Sequence, residues 1–105
     1  VNRFLSFLGI TRKSGNAVLG YNKNEETLRT GRLHLLIISK DAAQNTKDKF
    51  VRLAGEAGVP LIEDFTPYEL GQALGMDEIA VVGIKNAKMA AKLLSIAGQG
   101  QENNN

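Results

Sequence analysis

The stretch Ala17-Val18-Leu19-Gly20-Tyr21-Asn22-Lys23-Asn24-Glu25 changes its periodicity part-way along. Ala17 to Leu19 is a short apolar run of strand character, and Gly20 breaks it. Asn22, followed three residues later by Glu25, has the spacing of a capping box with Asn in the usual Ser/Thr place. A strand therefore runs directly into a helix, which is expected to end at Gly31. A glycine beside amide side chains at a helix start offers unpaired backbone N–H groups and the positive end of the helix dipole, and both attract phosphate. Asn22 and Asn24 add the paired donors and acceptors that can read a base edge. The plainer reading is that Asn22 only caps its helix, and the two roles are compatible.

Outward from this turn the same alternation repeats. Before it, Phe4, Leu5, Phe7, Leu8 and Ile10 form a helical apolar stripe after Asn2, with Arg12 and Lys13 where cations suit the helix end and Gly15 to stop it. After it, Leu33 to Ser39 is a buried strand, too apolar to alternate and too short for a helix. Asn45 or Thr46 is expected to open the next helix, whose Phe50, Leu53, Ala54 and Ala57 share one face, and Gly58 to end it. Val59 to Ile62 is a short strand. Thr66-Pro67-Tyr68-Glu69 is a strong helix start, and Gly75 ends that helix. Ile79 to Ile84 is a second central strand, and Asn86 caps a last helix with Met89, Leu93 and Ile96 on one face. The order, a helix and then four strand–helix pairs on short connections, predicts an α/β domain with helices on both faces of its sheet. Residues 1–97 form a single domain in this reading. Residues 98–105 have nothing to bury and are expected to be a disordered tail.

Composition narrows the function. The 105 residues suit one modest core, and 43% apolar content argues against disorder. With no cysteine, disulfide frameworks, thiolate zinc sites and thiol nucleophiles are excluded together. Leu35 to Ile38, the longest aliphatic run, is far too short to cross a bilayer, and Arg3, Arg12 and Lys13 do not fit a signal peptide. The expectation is a cytoplasmic, monomeric protein with no membrane partner. Charge is split along the chain. Residues 1–52 carry ten Lys/Arg against four Asp/Glu, and residues 53–105 carry three against seven. A basic half of this kind points to an acidic partner, often nucleic acid.

No catalytic constellation emerges. Asp41 and Lys85 follow buried strands, where open α/β sheets place ligands, and the pair is reminiscent of phosphate-accepting receiver domains. Those need an acidic pair after their first strand, whereas here Leu19-Gly20-Tyr21-Asn22 supplies none. Asp41 therefore reads as a loop or cap residue. His34 stands alone, Glu63-Asp64 and Asp77-Glu78 read as solvated loop pairs, and no metal cluster, Walker loop or dinucleotide fingerprint is present. The expectation is a non-enzyme without cofactor or metal.

Gly20-x-Asn22, then Leu28-x-x-Gly31-x-x-x-Leu35-Leu36-Ile37-Ile38-Ser39-x-Asp41-Ala42, then Val59-Pro60, then Leu70-Gly71-x-Ala73-x-Gly75 resemble the archaeal ribosomal protein family of the L-seven-Ae type. The closest branch looks like the small bacterial YlxQ-like proteins, and the resemblance covers about residues 4 to 95. It implies a three-layer α-β-α sandwich with a four-stranded mixed sheet. It also implies binding to structured RNA, in many members kink-turns, which are bends built around tandem sheared G·A pairs.

The RNA surface implied by the resemblance combines the start of the second helix, the loop after the second strand and the loop before the last strand. Gly20 and Asn22 match the family's phosphate- and base-contacting pair, with Tyr21 between them. Lys23 falls where archaeal members carry a guanine-contacting glutamate, and Glu26 where they carry a lysine. Lysine cannot accept a hydrogen bond, and Glu26 repels phosphate. Met76 matches an apolar wedge beside an unstacked base, with Asp77 and Glu78 after it, and Pro67 stands where some relatives have a lysine. A shifted register would instead use Asn24-Glu25 with Arg29. Arg12, Lys13, Lys23 and Lys40 or Lys47 would supply the positive field. The function expected is a non-enzymatic RNA-binding protein of the translation machinery, with kink-turn or ribosomal RNA and ribosome-associated proteins as candidate partners. The rivals are a protein-docking domain on the same fold and, more weakly, a small-ligand binder at the sheet edge.

Overall fold

A computed structural model describes residues 2–102, with side chains described through Gly98. Five helices and four strands alternate within it: α1 (Arg3–Lys13), β1 (Ala17–Leu19), α2 (Tyr21–Arg29), β2 (Leu35–Ile38), α3 (Gln44–Ala57), β3 (Leu61–Ile62), α4 (Pro67–Leu74), β4 (Val81–Ile84) and α5 (Ala87–Glu102). The strands form one mixed sheet in the order β1-β4-β2-β3. β4 is antiparallel to both neighbours, pairing Val18 with Gly83 and Leu36 with Gly83, while β2 and β3 run parallel.

Two cores explain the continuous apolar run of β2. Leu35 and Ile37 join Val82 and Ile84 beneath α1, α4 and α5, with Phe4, Leu8, Leu70 and Leu93 as the helical contribution. Leu36 and Ile38 point the other way, with Val18 and Val81, into Leu28 of α2 and Phe50 and Leu53 of α3. A strand covered on both faces cannot alternate polar and apolar residues. The result is the expected three-layer α-β-α sandwich.

Most helix punctuation matches the sequence. Asn2 Oδ1 accepts from Leu5 N–H at 3.0 Å and Asn86 Oδ1 from Met89 N–H at 2.9 Å. Gly58 and Gly75 close α3 and α4. Thr66 and Glu69 form the reciprocal box, at 3.1 and 2.9 Å. Thr66→Ala is therefore expected to cost about 1 kcal/mol, read as a lower urea midpoint. The Thr66 backbone N–H, and more weakly the Thr66 side chain and Lys40, hold the Glu69 carboxyl below its usual value. The stability it contributes is complete above the unfolded pKa and is lost as pH falls through the lower folded one.

Five expectations need correction. α3 begins at Gln44 behind Ala43, not at Asn45 or Thr46, because Lys47 N–H already closes on Ala43 O while Asn45 Oδ1 only meets Thr46 N–H. β3 is only Leu61–Ile62, since Val59 N–H is taken by Ala54 O and Pro60 has no N–H to pair. β2 and β4 are likewise shorter than the expected strands 33–39 and 79–84, with Ile79 N–H turned to Pro67 O. The backbone of α5 continues from Gly98 to Glu102, where a tail was expected, because extending a docked helix is easier than starting one. Residues 103–105 of that expected tail lie outside the described residues.

Candidate nucleic-acid interface

One rim of the sheet collects the ends that matter. Gly20 N–H donates to Val81 O at 2.9 Å, Ser39 N–H to Ala80 O at 2.8 Å and Lys40 N–H to Phe65 O at 2.8 Å. The C-terminal ends of β1, β2 and β3 thus meet the start of β4, and α2, α3 and α4 all set out from this rim. Of these three helices only α4 has a side-chain cap. α2 starts on Gly20 and α3 on Ala43, neither with a capping side chain. Two helix starts with orphan N–H groups and positive dipole ends therefore face the same rim.

Gly20 occupies φ 96°, ψ 171°, open to glycine and strained for any other residue. The chain turns there rather than at Asn22, which overturns the expected capping box. A capping residue needs a non-helical backbone, and Asn22 is already the second residue of α2. Its side chain is exposed. Glu25 turns instead to Arg29 and to Lys49 of α3, both at 2.9 Å. Lys49, then Arg29, pull the Glu25 carboxyl below its usual value, while Glu25 and then Tyr21 raise Lys49. Tyr21 rests edge-on against buried Phe50, centroids 5.0 Å apart, with Lys49 Nζ 5.0 Å from its ring. Lys49 was not singled out from the sequence, because nothing along the chain shows that α3 lies beside α2.

Asn24 holds the turn. It is 0% exposed, and its Nδ2 donates to Val18 O at 2.9 Å and Gly20 O at 2.7 Å. The idea that Asn24 could read a base, directly or in the shifted register with Glu25 and Arg29, fails on this burial. Its position four residues before buried Leu28 was the available signal.

Other candidates separate. Lys40 is exposed on the rim, and its carbonyl accepts from Lys47 Nζ at 2.6 Å. Glu26 is exposed on α2, one turn after Asn22. Lys23 lies on the flank of α2 that faces β1. Met76 is half-buried against the core under α4, and its N–H is held by Gly71 O. Asp77 and Glu78 are exposed, with their backbone pressed against Gly71. Arg12 and Lys13 are not brought to the rim. α1 starts there, Phe4 stacking on Phe65 at 5.0 Å, and its eleven residues span about 16 Å to the opposite end of the sheet. There the Arg12 guanidinium donates to the Leu74 carbonyl. His34 is exposed and Asp41 lies in a loop, its N–H on Ser39 Oγ at 3.3 Å. Among the described residues no acidic or histidine cluster could hold a metal, and no helix is long and apolar enough to cross a membrane.

Residues 3–94 match the Ribosomal protein L7Ae/L30e/S12e/Gadd45 family, and the chain belongs to it. Among solved structures it is similar to a protein of unknown function from Bacillus halodurans. The two share 28% identity over 91% of this chain and 97% of that one, with a TM-score of 0.89. It also shares the fold of the 15.5kD RNA binding protein of Giardia lamblia, at 18% identity over 88% and 85% of the two chains and a TM-score of 0.72.

Proposed function

We propose that this protein is a non-enzymatic, cytoplasmic RNA-binding protein that takes structured RNA, a kink-turn or a ribosomal segment, on the rim around Gly20, in a branch resembling the YlxQ-like proteins. The observation that carries the reading is the uncapped start of α2. Gly20 has no side chain to obstruct a close approach, and the N–H groups of the first turn have no intrahelical acceptor. Asn22 projects beside them, exposed and free of a capping duty. Family membership and the shared fold with an RNA-binding protein support the same conclusion.

In this mechanism the first turn of α2 holds a phosphate, Asn22 reads a base edge, and Lys23, Lys40 and Lys47 supply the field. Tyr21 presents an aromatic surface braced by Phe50. Met76, packed at one side, offers an extruded base an apolar contact. The test is binding to a kink-turn RNA, and to the same RNA with its G·A pairs disrupted, across a salt series. Asn22→Ala is expected to weaken the intact RNA about tenfold or more while leaving the fold unchanged. A second reading, docking of the same fold onto a protein, draws on Glu26, whose exposed carboxylate opposes phosphate at this face. Equal weak binding to both RNAs, unmoved by Asn22→Ala, would select it.

A further inference from the structure

β1 is an edge strand, and its free side is not empty surface. Lys85 N–H donates to Asn16 O and Gly20 N–H to Val81 O, so the even-numbered residues of this segment face β4. In an antiparallel ladder the residues between them turn their main-chain groups the other way. Ala17 and Leu19 therefore present N–H and C=O groups outward. A groove of about 360 Å³ lies against this strand, lined by Ala17, Val18, Leu19, Lys23, Thr27 and Lys85.

The groove is electropositive. Lys23 comes from the first turn of α2 and Lys85 follows the end of β4, so two different elements bring lysines to the lining of one concavity. No carboxylate lines it. Both lysines are exposed, and neither forms an ion pair among the described residues. Elsewhere Lys49 and Arg29 share the Glu25 carboxylate, and Arg52 lies 3.7 Å from Glu56. The groove is also continuous with the uncapped start of α2, since Lys23 is the third residue of that helix.

We propose that this groove is a second phosphate-binding subsite, which leads an RNA backbone from the Gly20 turn along the open edge of β1 onto Lys23 and Lys85. It rests on the RNA-binding reading above. A phosphodiester suits ammonium groups and edge N–H donors together. An added β-strand suits them less, because lysines beside a three-residue edge obstruct strand pairing. Lys23 thus acts as a phosphate ligand on the flank of α2, on a different face from Asn22.

The test is the salt dependence of binding to a kink-turn stem-loop. Lys23→Ala and Lys85→Ala should each make the log–log slope shallower by about 0.7–0.9, and the double variant by about twice that. Lys92→Ala is the control, since Lys92 packs over Phe7 on the other face of the sheet. Lys→Gln versions repeat the measurement with an uncharged polar side chain one atom shorter than lysine. If the wild type binds and the groove variants match the control, the subsite is refuted. The same slopes with self-association of the double variant would assign the lysines to guarding an open edge instead. A wild type that binds no RNA overturns the parent reading, and the subsite falls with it.

Discussion

Asn24→Asp is expected to lose about 3 kcal/mol or more of stability at neutral pH and to recover part of it on acidification. The amide at this position donates to two carbonyl oxygens, those of Val18 and Gly20, at 2.9 and 2.7 Å, with no exposure to water. A carboxylate has no donor to offer them, and its charge would sit unpaired between two negative dipoles. Burial raises the folded pKa of the introduced Asp above its unfolded value near 3.9. The folded state then holds a proton that the unfolded state has released. The destabilisation is accordingly smallest below about pH 4, grows as pH rises through the unfolded pKa, and levels off above the folded one. Once protonated, the side chain can restore one of the two bonds. Urea unfolding of variant and wild type at pH 7 and pH 4 measures the difference. A gap between them that stays constant or narrows as pH rises would contradict the buried-donor role of Asn24.

Gly83→Ala should be about as severe, at roughly 3 kcal/mol. Gly83 lies in the middle of β4, where both neighbouring strands pair with it. A Cβ there would fall closest of all to Asn24 Oδ1, and 2.5 and 2.9 Å from the two methyl carbons of Leu33. Neither neighbour can yield cheaply. Asn24 is tied by its two hydrogen bonds, and Leu33 is 4% exposed in the core under α2 and α3. Asn24 Oδ1 itself has no hydrogen-bond partner. The structure tolerates an oxygen facing a bare glycine Cα but leaves no room for a methyl. Because the two residues meet, Gly83→Ala and Asn24→Ala should couple, the double variant losing less than the sum of the singles. Additive losses, or a loss below about 1 kcal/mol for Gly83→Ala, would count against this packing.

Both predictions concern the scaffold beneath the rim, and they also bear on function. Asn24 fixes Val18 and Gly20, and Gly83 leaves room for Asn24. The position of the uncapped α2 start therefore depends on a polar residue inside the core and a glycine in the central strand β4. Substituting either should impair RNA binding along with folding, whereas Asn22→Ala should affect binding alone.

Much of the architecture was legible because short-range physics sets it. Leu35 to Ile38 had to be covered on both faces, Thr66-Pro67-Tyr68-Glu69 had to begin a helix, and Gly58 and Gly75 had to end two. The site was legible only in part. Gly20 was recognised as the break, but the helix start was placed two residues late because Asn22 and Glu25 have capping spacing. Glu25 was drawn away by Lys49, a residue 24 positions further along the chain. Arg12 and Lys13 belonged to the basic half of the sequence yet project at the far end of α1. A charge count along a chain contains no information about which end of a helix reaches which rim.

The sequence alone determined the alternation of strands and helices, their layering and the glycine turn, because apolar periodicity and backbone conformation are local properties. The tertiary structure decided that Asn24 is buried and Asn22 exposed, that Glu25 is neutralised across two helices, and that Lys23 joins Lys85 beside an open strand. These outcomes depend on which elements become neighbours. Side-chain desolvation and charge pairing act through space, and the strand order β1-β4-β2-β3 determines which residues meet.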